Sequence, residues 1–172
     1  MATEPVIYGA SERPPRGDYS RARADYTCTQ TAAYSEVEHD IYHRLYARQS
    51  ALLPGLACDE FIAALPALGA RERIPRFDTI NEKLFKATRW EIVAVPGLIP
   101  EVPFFTLLSQ RKFPVTDWIR TPQEFDYIVE PDVFHDLFGH VPLLFNPSYA
   151  DYIQAYGQGG LKAASLGACE NL

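Results

Sequence analysis

The segment EPDVFHDLFGHVPLL, residues 130–144, sets two histidines, His135 and His140, five apart in a mostly apolar run. Pro131 suits the first turn of a helix, where its missing N–H has no intrahelical partner. Asp132 puts negative charge at the positive end of the helix dipole. Gly139 can take a left-handed C′ conformation, and Val141 before Pro142 resists the α region. The segment therefore reads as a two-turn helix from Asp132 to Phe138. Val133, Phe134, Leu137 and Phe138 cover one side, with His135 at the border of that face. In an unbroken helix His140 would lie about 140° round from His135, too far to share a ligand. A break at Gly139 is expected to turn His140 back toward His135. The residues alone leave two outcomes open: a metal pair, or two core histidines bonded to backbone. An imidazole pair suits Zn, Cu, Fe or Ni, and a working centre also needs a third ligand, usually a carboxylate.

Upstream of this segment the pattern is mostly helical with a little sheet. A helix is expected from Ser35, its N-cap, to Leu53, where Pro54 and Gly55 stop it. Its apolar stripe is Tyr34, Val37, Ile41, Leu45 and Leu52. A second helix begins at Asp59 and is expected to stop near Pro66. A third, in RFDTINEKLFKATR, has Asp78 as its candidate cap and Ile80, Leu84 and Ala87 on one side. WEIVAVPGLIP is a short strand running into a Pro96-Gly97 turn. VPFFTLLSQRKF is a fourth helix, and FPVTDWIR a second strand ending at a polar turn, Thr121-Pro122. Downstream, PSYADYIQAYGQGGLKAASLGA gives a helix expected to end at the glycines of residues 157–160, with helix resuming near Leu161.

The 172-residue chain is long enough for one domain of ordinary size. Residues 1–31, rich in Pro, Arg, Ser, Asp and Tyr, are expected to form an extended arm, and residues 32–172 to belong to a single domain. A net charge of −6 with no basic cluster gives no electrostatic reason to bind nucleic acid. No apolar run is long enough to cross a bilayer; residues 92–100 form the longest clean one. No signal peptide is expected, because the N-terminus has no continuous apolar stretch. The three cysteines, Cys28, Cys58 and Cys169, are scattered and form no CxxC pair, which fits a reducing cytoplasm.

A second histidine pair competes with the first. HDIYH places His39 and His43 at i, i+4 and resembles the H-E-x-x-H of zinc proteases with Asp40 in place of Glu. Both fall opposite the apolar stripe of their helix, so a solvated polar face is expected. Asp40 is also one methylene short for a protease base.

The sequence resembles the pterin-dependent aromatic amino acid hydroxylases, nearest to the single-domain, phenylalanine-hydroxylating bacterial members. The likeness rests on EPDVFHDLFGHVPLL together with LLPGLACDEF, NEKLFKATRWEIVAVPGLIP, RKFPVTDWIR and YADYIQAYGQGGLKAASLGA, in the family's order, over residues 35–168. It implies the family's mainly α catalytic fold with a small amount of β. It also implies an Fe(II)- and tetrahydrobiopterin-dependent (or related tetrahydropterin-dependent) monooxygenase. L-phenylalanine and O2 would give L-tyrosine, in phenylalanine catabolism. His135 and His140 match the iron-binding histidines. Gly97, Leu98 and Ile99 match the loop along the pterin, Phe104 the aromatic that stacks on it, and Asp136 an acidic residue near it. Arg120 matches the arginine that grips the substrate carboxylate, and Pro131 a proline lining the ring pocket. No catalytic residue is implied beyond the metal ligands, and a monomer in the cytoplasm is expected.

The family's third iron ligand, a glutamate in a Thr-Val-Glu-Phe-Gly-type segment, has no counterpart up to Leu172; Glu170 does not match it. A chain that is C-terminally incomplete in this way is expected to bind metal weakly and to hydroxylate little or not at all. Tyrosine or tryptophan as substrate stays open, as does a non-catalytic fragment of the family. Outside the family, a zinc hydrolase built on His39 and His43 is the remaining reading.

Overall fold

The computed structural model describes residues 15–31 and 33–168. Helix α1, Glu36–Leu52, starts from Ser35, whose hydroxyl accepts from the Glu38 N–H while the Glu38 carboxylate accepts from the Ser35 N–H. This reciprocal cap satisfies two donors that the first helical turn leaves without partners. The buried face is Ile41, Tyr42, Leu45 and Tyr46, whereas Val37 and Leu52 are exposed. The expected stripe is thus rotated toward the tyrosines. Their rings pack edge-on against Phe134 and Phe138, with centroids 5.6 and 5.2 Å apart. Aromatic rings bury more area than Val or Leu and set the face.

Helix α2, Asp59–Leu68, runs through Pro66 to a left-handed Gly69 at φ 62°. The expected stop at Pro66 is corrected by two residues. A proline's missing N–H removes a bond only to the carbonyl four residues back, and the Gly69 cap closes the final turn.

Helix α3 spans Phe77–Thr88. Asp78 does not cap it; the residue before the helix is Arg76, which makes no side-chain cap. The orphan N–H of Phe77 is instead taken by Gln30 Oε1 at 2.9 Å, while Gln30 Nε2 donates to the Pro75 carbonyl at 3.0 Å. Ala87, expected on the inner side, is exposed, and Phe77, Ile80, Leu84 and Thr88 are the buried set.

Strand β1 (Glu91–Val95), helix α4 (Glu101–Ser109) and strand β2 (Lys112–Thr116) form a β-α-β unit. The strands are parallel, with Ile92 opposite Phe113 and Ala94 opposite Val115. Parallel neighbours require a crossover connection, which α4 supplies. The outer edge of β1 is closed by side-chain and arm contacts. Asn81 pairs with both the N–H and carbonyl of Ile92, and the Cys28 N–H donates to Ala94 O at 2.7 Å.

Helix α5, Val133–Gly139, packs on β2 and α1. Helix α6, Pro147–Ser165, packs along α4. α6 does not break at its glycines. A Cβ on Gly157 would lie 2.5 Å from the Ser109 nitrogen, and one on Gly160 2.3 Å from Cδ1 of the Phe105 ring. The glycines let two helices touch, and that packing outweighs their weak helix propensity. Gly160→Ala is accordingly expected to destabilise by about 1–3 kcal/mol through overpacking. Gly159→Ala, whose Cβ would meet nothing within 4 Å, should stabilise slightly. Urea unfolding of the two variants measures the difference, and equal midpoints would refute the close contact.

Residues 15–31 lie along this domain with a 3-10 turn at Tyr19–Arg21. Arg21 pairs with the buried Asp117 at 2.8 Å. Residues 1–14 of the expected arm, with Cys169 and Glu170, lie outside the described residues. The architecture is mainly helical with one small sheet, as the sequence pattern anticipates. Among the described residues no helix is long and apolar enough to cross a membrane.

Candidate metal centre and adjoining cleft

The site is built around the start of α5. Asp132, fully buried, caps the helix by accepting from the His135 N–H at 2.9 Å. The same carboxylate accepts from the Arg120 backbone N–H (3.0 Å), Nε (2.8 Å) and Nη2 (3.1 Å). The Val133 N–H donates to Trp118 O at 2.8 Å, so α5 is fastened to the chain just after β2. This fixes the helix end from which His135 projects.

His140 follows within one and a half turns. Its N–H still donates to Asp136 O at 3.1 Å, and its φ of −115° opens the last turn. The expected break at Gly139 is corrected. Gly139 is the last helical residue, its φ is not positive, and a Cβ there would meet nothing within 4 Å. The return of His140 comes from its own widened φ and from Pro142, which starts a separate 3-10 turn at Pro142–Phe145. The long imidazoles then reach across the remaining arc. His135 Nε2 and His140 Nε2 lie 3.2 Å apart.

That separation is what two imidazoles bound to one ion need, given metal–nitrogen bonds of about 2.0–2.1 Å. One ligand atom each from His135, Asp136 and His140 falls within 4.8 Å of the others. Two imidazoles and a carboxylate are a donor set for a divalent first-row metal. Phe113 stacks on the His140 ring, with centroids 5.4 Å apart and planes at 30°. Burial against this wall, and then the neighbouring His135, lower the His140 pKa and favour the neutral ring that coordinates a metal.

Asp136 is buried, and its Oδ2 accepts from the Thr116 N–H at 2.8 Å. Desolvation dominates, and its carboxyl is pushed up from 3.8 to about 7. The folded, metal-free protein therefore binds this proton more tightly than the unfolded chain. Its stability is expected to fall as pH rises from about 4 to about 7, with the loss complete above that. Asp136→Asn should flatten that stretch of a urea-midpoint profile recorded under chelation. An unchanged slope would show that the carboxylate is relieved by another contact.

The structure gathers the other sequence candidates around this pair. A cleft of about 340 Å³ is walled by Gly97, Leu98, Ile99 and Phe104 on the β1–α4 side. Pro131, His135, Asp136 and His140 wall it on the α5 side. A second pocket of about 330 Å³ holds Arg120 with Phe134, Phe138 and Gly139, and His135 lines both. Pro131 thus stands in the first cleft, apart from the Arg120 pocket with which it was expected. The Arg120 guanidinium is 7% exposed and gripped by Asp132, with Nη1 3.4 Å from Phe125 O.

Sequence reasoning missed the wall that α6 contributes through Tyr149, Ile153 and Tyr156. Their i, i+4, i+7 spacing is a readable helical stripe. It also missed Asp132 as the anchor of Arg120, which no sequence spacing signals. His39 is a partly buried tether, while His43 stays on the solvated polar face expected of it, its side chain 39% exposed. His39 Nδ1 accepts from the Ile74 N–H at 3.1 Å, and His43 Nδ1 lies 3.2 Å from Glu72. They bind the loop after α2 to α1.

These features define a class: mainly helical domains in which a β-α-β unit backs a cleft with a metal-binding type of histidine pair at its rim. Comparison with known proteins narrows the class. The sequence model for biopterin-dependent aromatic amino acid hydroxylases matches residues 16–172, and the chain belongs to that family. It is 55% identical over 157 residues to the phenylalanine-4-hydroxylase of Ralstonia nicotianae, covering 90% of this chain and 50% of that protein. It is 56% identical over 146 residues to the phenylalanine-4-hydroxylase of Chromobacterium violaceum, covering 84% and 49%. A solved structure of the latter, with bound iron(III) and 7,8-dihydrobiopterin, superposes with a TM-score of 0.80 at 56% identity, over 83% of this chain and 53% of that one. The chain spans about half the length of the curated relatives it matches.

Proposed function

We propose that this chain carries the metal- and pterin-binding part of a phenylalanine 4-monooxygenase, with L-phenylalanine, O2 and a tetrahydropterin as reactants and L-tyrosine as product. The observation that carries the reading is the His135–His140 pair, 3.2 Å apart, at the rim of the cleft walled by Gly97, Leu98, Ile99 and Phe104. Fe(II) is held by His135 and His140. With a reduced pterin, it supplies the two-electron activation of O2 needed to hydroxylate an aromatic ring. Residues 97–99 offer backbone groups to the pterin edge, and Phe104 offers a ring face to a flat heterocycle. Asp136, its buried carboxyl raised to about 7 by desolvation and engaged by the Thr116 N–H, suits a pterin-facing role better than a metal-ligand one. Arg120 receives the substrate carboxylate, with its guanidinium plane set by Asp132. Pro131, which lines the same cleft as the histidines, is the residue that meets the substrate's aromatic ring.

Residues 1–31 serve as an arm on a single domain begun at residue 32, in a cytoplasmic monomer. The scattered cysteines support the compartment. The test is product analysis with phenylalanine, tyrosine and tryptophan under Fe(II) and tetrahydrobiopterin, using the protein at the length its gene encodes. Tyrosine formed from phenylalanine supports the reading. Hydroxylation of tyrosine or tryptophan instead would reassign the substrate. Stoichiometric metal without any product would favour a non-catalytic member.

A further inference from the structure

Residues 16–19 cross the loop that forms one wall of the cleft beside the histidine pair, and at Gly17 the two backbones meet without a side chain between them. A Cβ on Gly17 would lie 1.9 Å from the Pro96 carbonyl oxygen, and one on Gly97 2.9 Å from the Tyr19 hydroxyl. At Gly17 only glycine permits so close a crossing of two backbones, and Gly97 leaves room for the Tyr19 hydroxyl. The Tyr19 hydroxyl donates to Leu98 O at 2.7 Å. On the other side, Trp118 Nε1 donates to Pro96 O at 3.0 Å. The Arg16 guanidinium lies 4.7 Å over the Trp118 ring and pairs with Glu124, while the Arg16 N–H reaches Glu130 Oε1 at 3.3 Å. Burial, and then the Glu130 charge, push the Tyr19 hydroxyl up to about 12, so it remains a donor at neutral pH.

The loop itself has no regular structure. Among the described residues, the N–H groups of Gly97, Leu98 and Ile99 donate to no other part of the chain. A segment without internal bonds takes its shape from what grips it. Here the grip falls on two carbonyls, those of Pro96 and Leu98, and it comes from outside the loop.

We propose that Tyr19, with Gly17 and Trp118, is a positioning clasp that fixes residues 96–99 in the one backbone shape that receives a pterin edge. This rests on the pterin reading of the cleft. The clasp makes the arm part of the binding site without touching the ligand, by removing the ordering that binding would otherwise have to impose.

Tyr19→Phe deletes a single hydroxyl and tests it. Three quantities are read: hydrogen exchange at residues 96–99, calorimetric affinity for 7,8-dihydrobiopterin, and affinity for Co(II). Faster exchange in the loop is expected, with dihydrobiopterin binding weakened about fivefold, the worth of one ordinary hydrogen bond. Co(II) affinity should hold, since Tyr19 bonds to neither histidine. Unchanged loop exchange or unchanged dihydrobiopterin affinity overturns the clasp. A parallel loss of Co(II) binding marks general loosening and overturns it too. Phe104→Ala separates the two failures. If it weakens dihydrobiopterin and Tyr19→Phe does not, the cleft reading stands and the clasp is wrong. If neither variant matters, the cleft reading fails and the clasp falls with it.

Discussion

His140→Ala is expected to lower the affinity for Fe(II) or Co(II) by more than about a hundredfold, beyond the 10–100-fold that follows loss of a hydrogen-bonding neighbour of a ligand. The physical reason is the geometry of the pair. His135 and His140 present Nε2 atoms 3.2 Å apart, and with one ring gone the other remains a single exposed donor at a cleft mouth. A lone neutral imidazole cannot hold a ferrous ion against water. The fold should survive, because the His140 ring packs on Phe113 at the surface of the cleft and not in the core cluster. Anaerobic metal titration with an unfolding control separates the two effects. His39→Ala should leave metal affinity untouched and instead loosen the loop at Ile74, to which His39 is bonded. Retained metal in His140→Ala, lost in a His39 and His43 double variant, would move the metal to α1 and revive the hydrolase reading.

The sequence was most legible where the information is local. Ser35 announces the start of α1 as its N-cap, and the structure forms that cap, with Glu38 completing it. The strand period of residues 92–95 and the Thr121-Pro122 turn are equally local. The histidine pair was legible because two imidazoles in an apolar wall are unusual and a helix stop lies close behind them. Where the reading failed, the deciding contact was distant in sequence. Gln30 caps α3 from 47 residues away, so Asp78 looked like the cap when it was not. Gly157 and Gly160 read as a helix break because propensity is local, while the reason for them, α4 pressed against α6, is not. The expected stripe of α1 ran through Val37 and Leu52 and left out Tyr42 and Tyr46, because what decides the buried face is the distant pair Phe134 and Phe138 against which those two rings pack. Gly139 went the other way: a rule about left-handed caps was applied where the chain keeps a right-handed turn and closes it one residue later.

Asp132→Ala should be the most destabilising single change near the site, at about 3–5 kcal/mol. Its carboxylate has no exposed surface and serves four donors at once: the His135 N–H, the Arg120 N–H, and Nε and Nη2 of Arg120. Truncation strands a guanidinium that is 7% exposed, and a buried charge without its partner is worth far more than a missing hydrogen bond. It also removes the cap of α5, a loss of about 1 kcal/mol by itself. Replacing both partners, Arg120→Met with Asp132→Leu, should recover much of the stability, because a buried ion pair contributes little once its desolvation is counted. The cap would stay lost, so the recovery should be incomplete. Function should not recover at all. Arg120 is the group proposed to receive the substrate carboxylate, and α5 without its anchor no longer fixes His135 opposite His140. Urea unfolding and metal titration of the single and double variants therefore dissociate two roles of one carboxylate. Stability returns in large part in the double variant while metal affinity stays low. A loss below about 1 kcal/mol in Asp132→Ala would mean that water reaches Arg120, and the anchoring of the site through this pair would have to be abandoned.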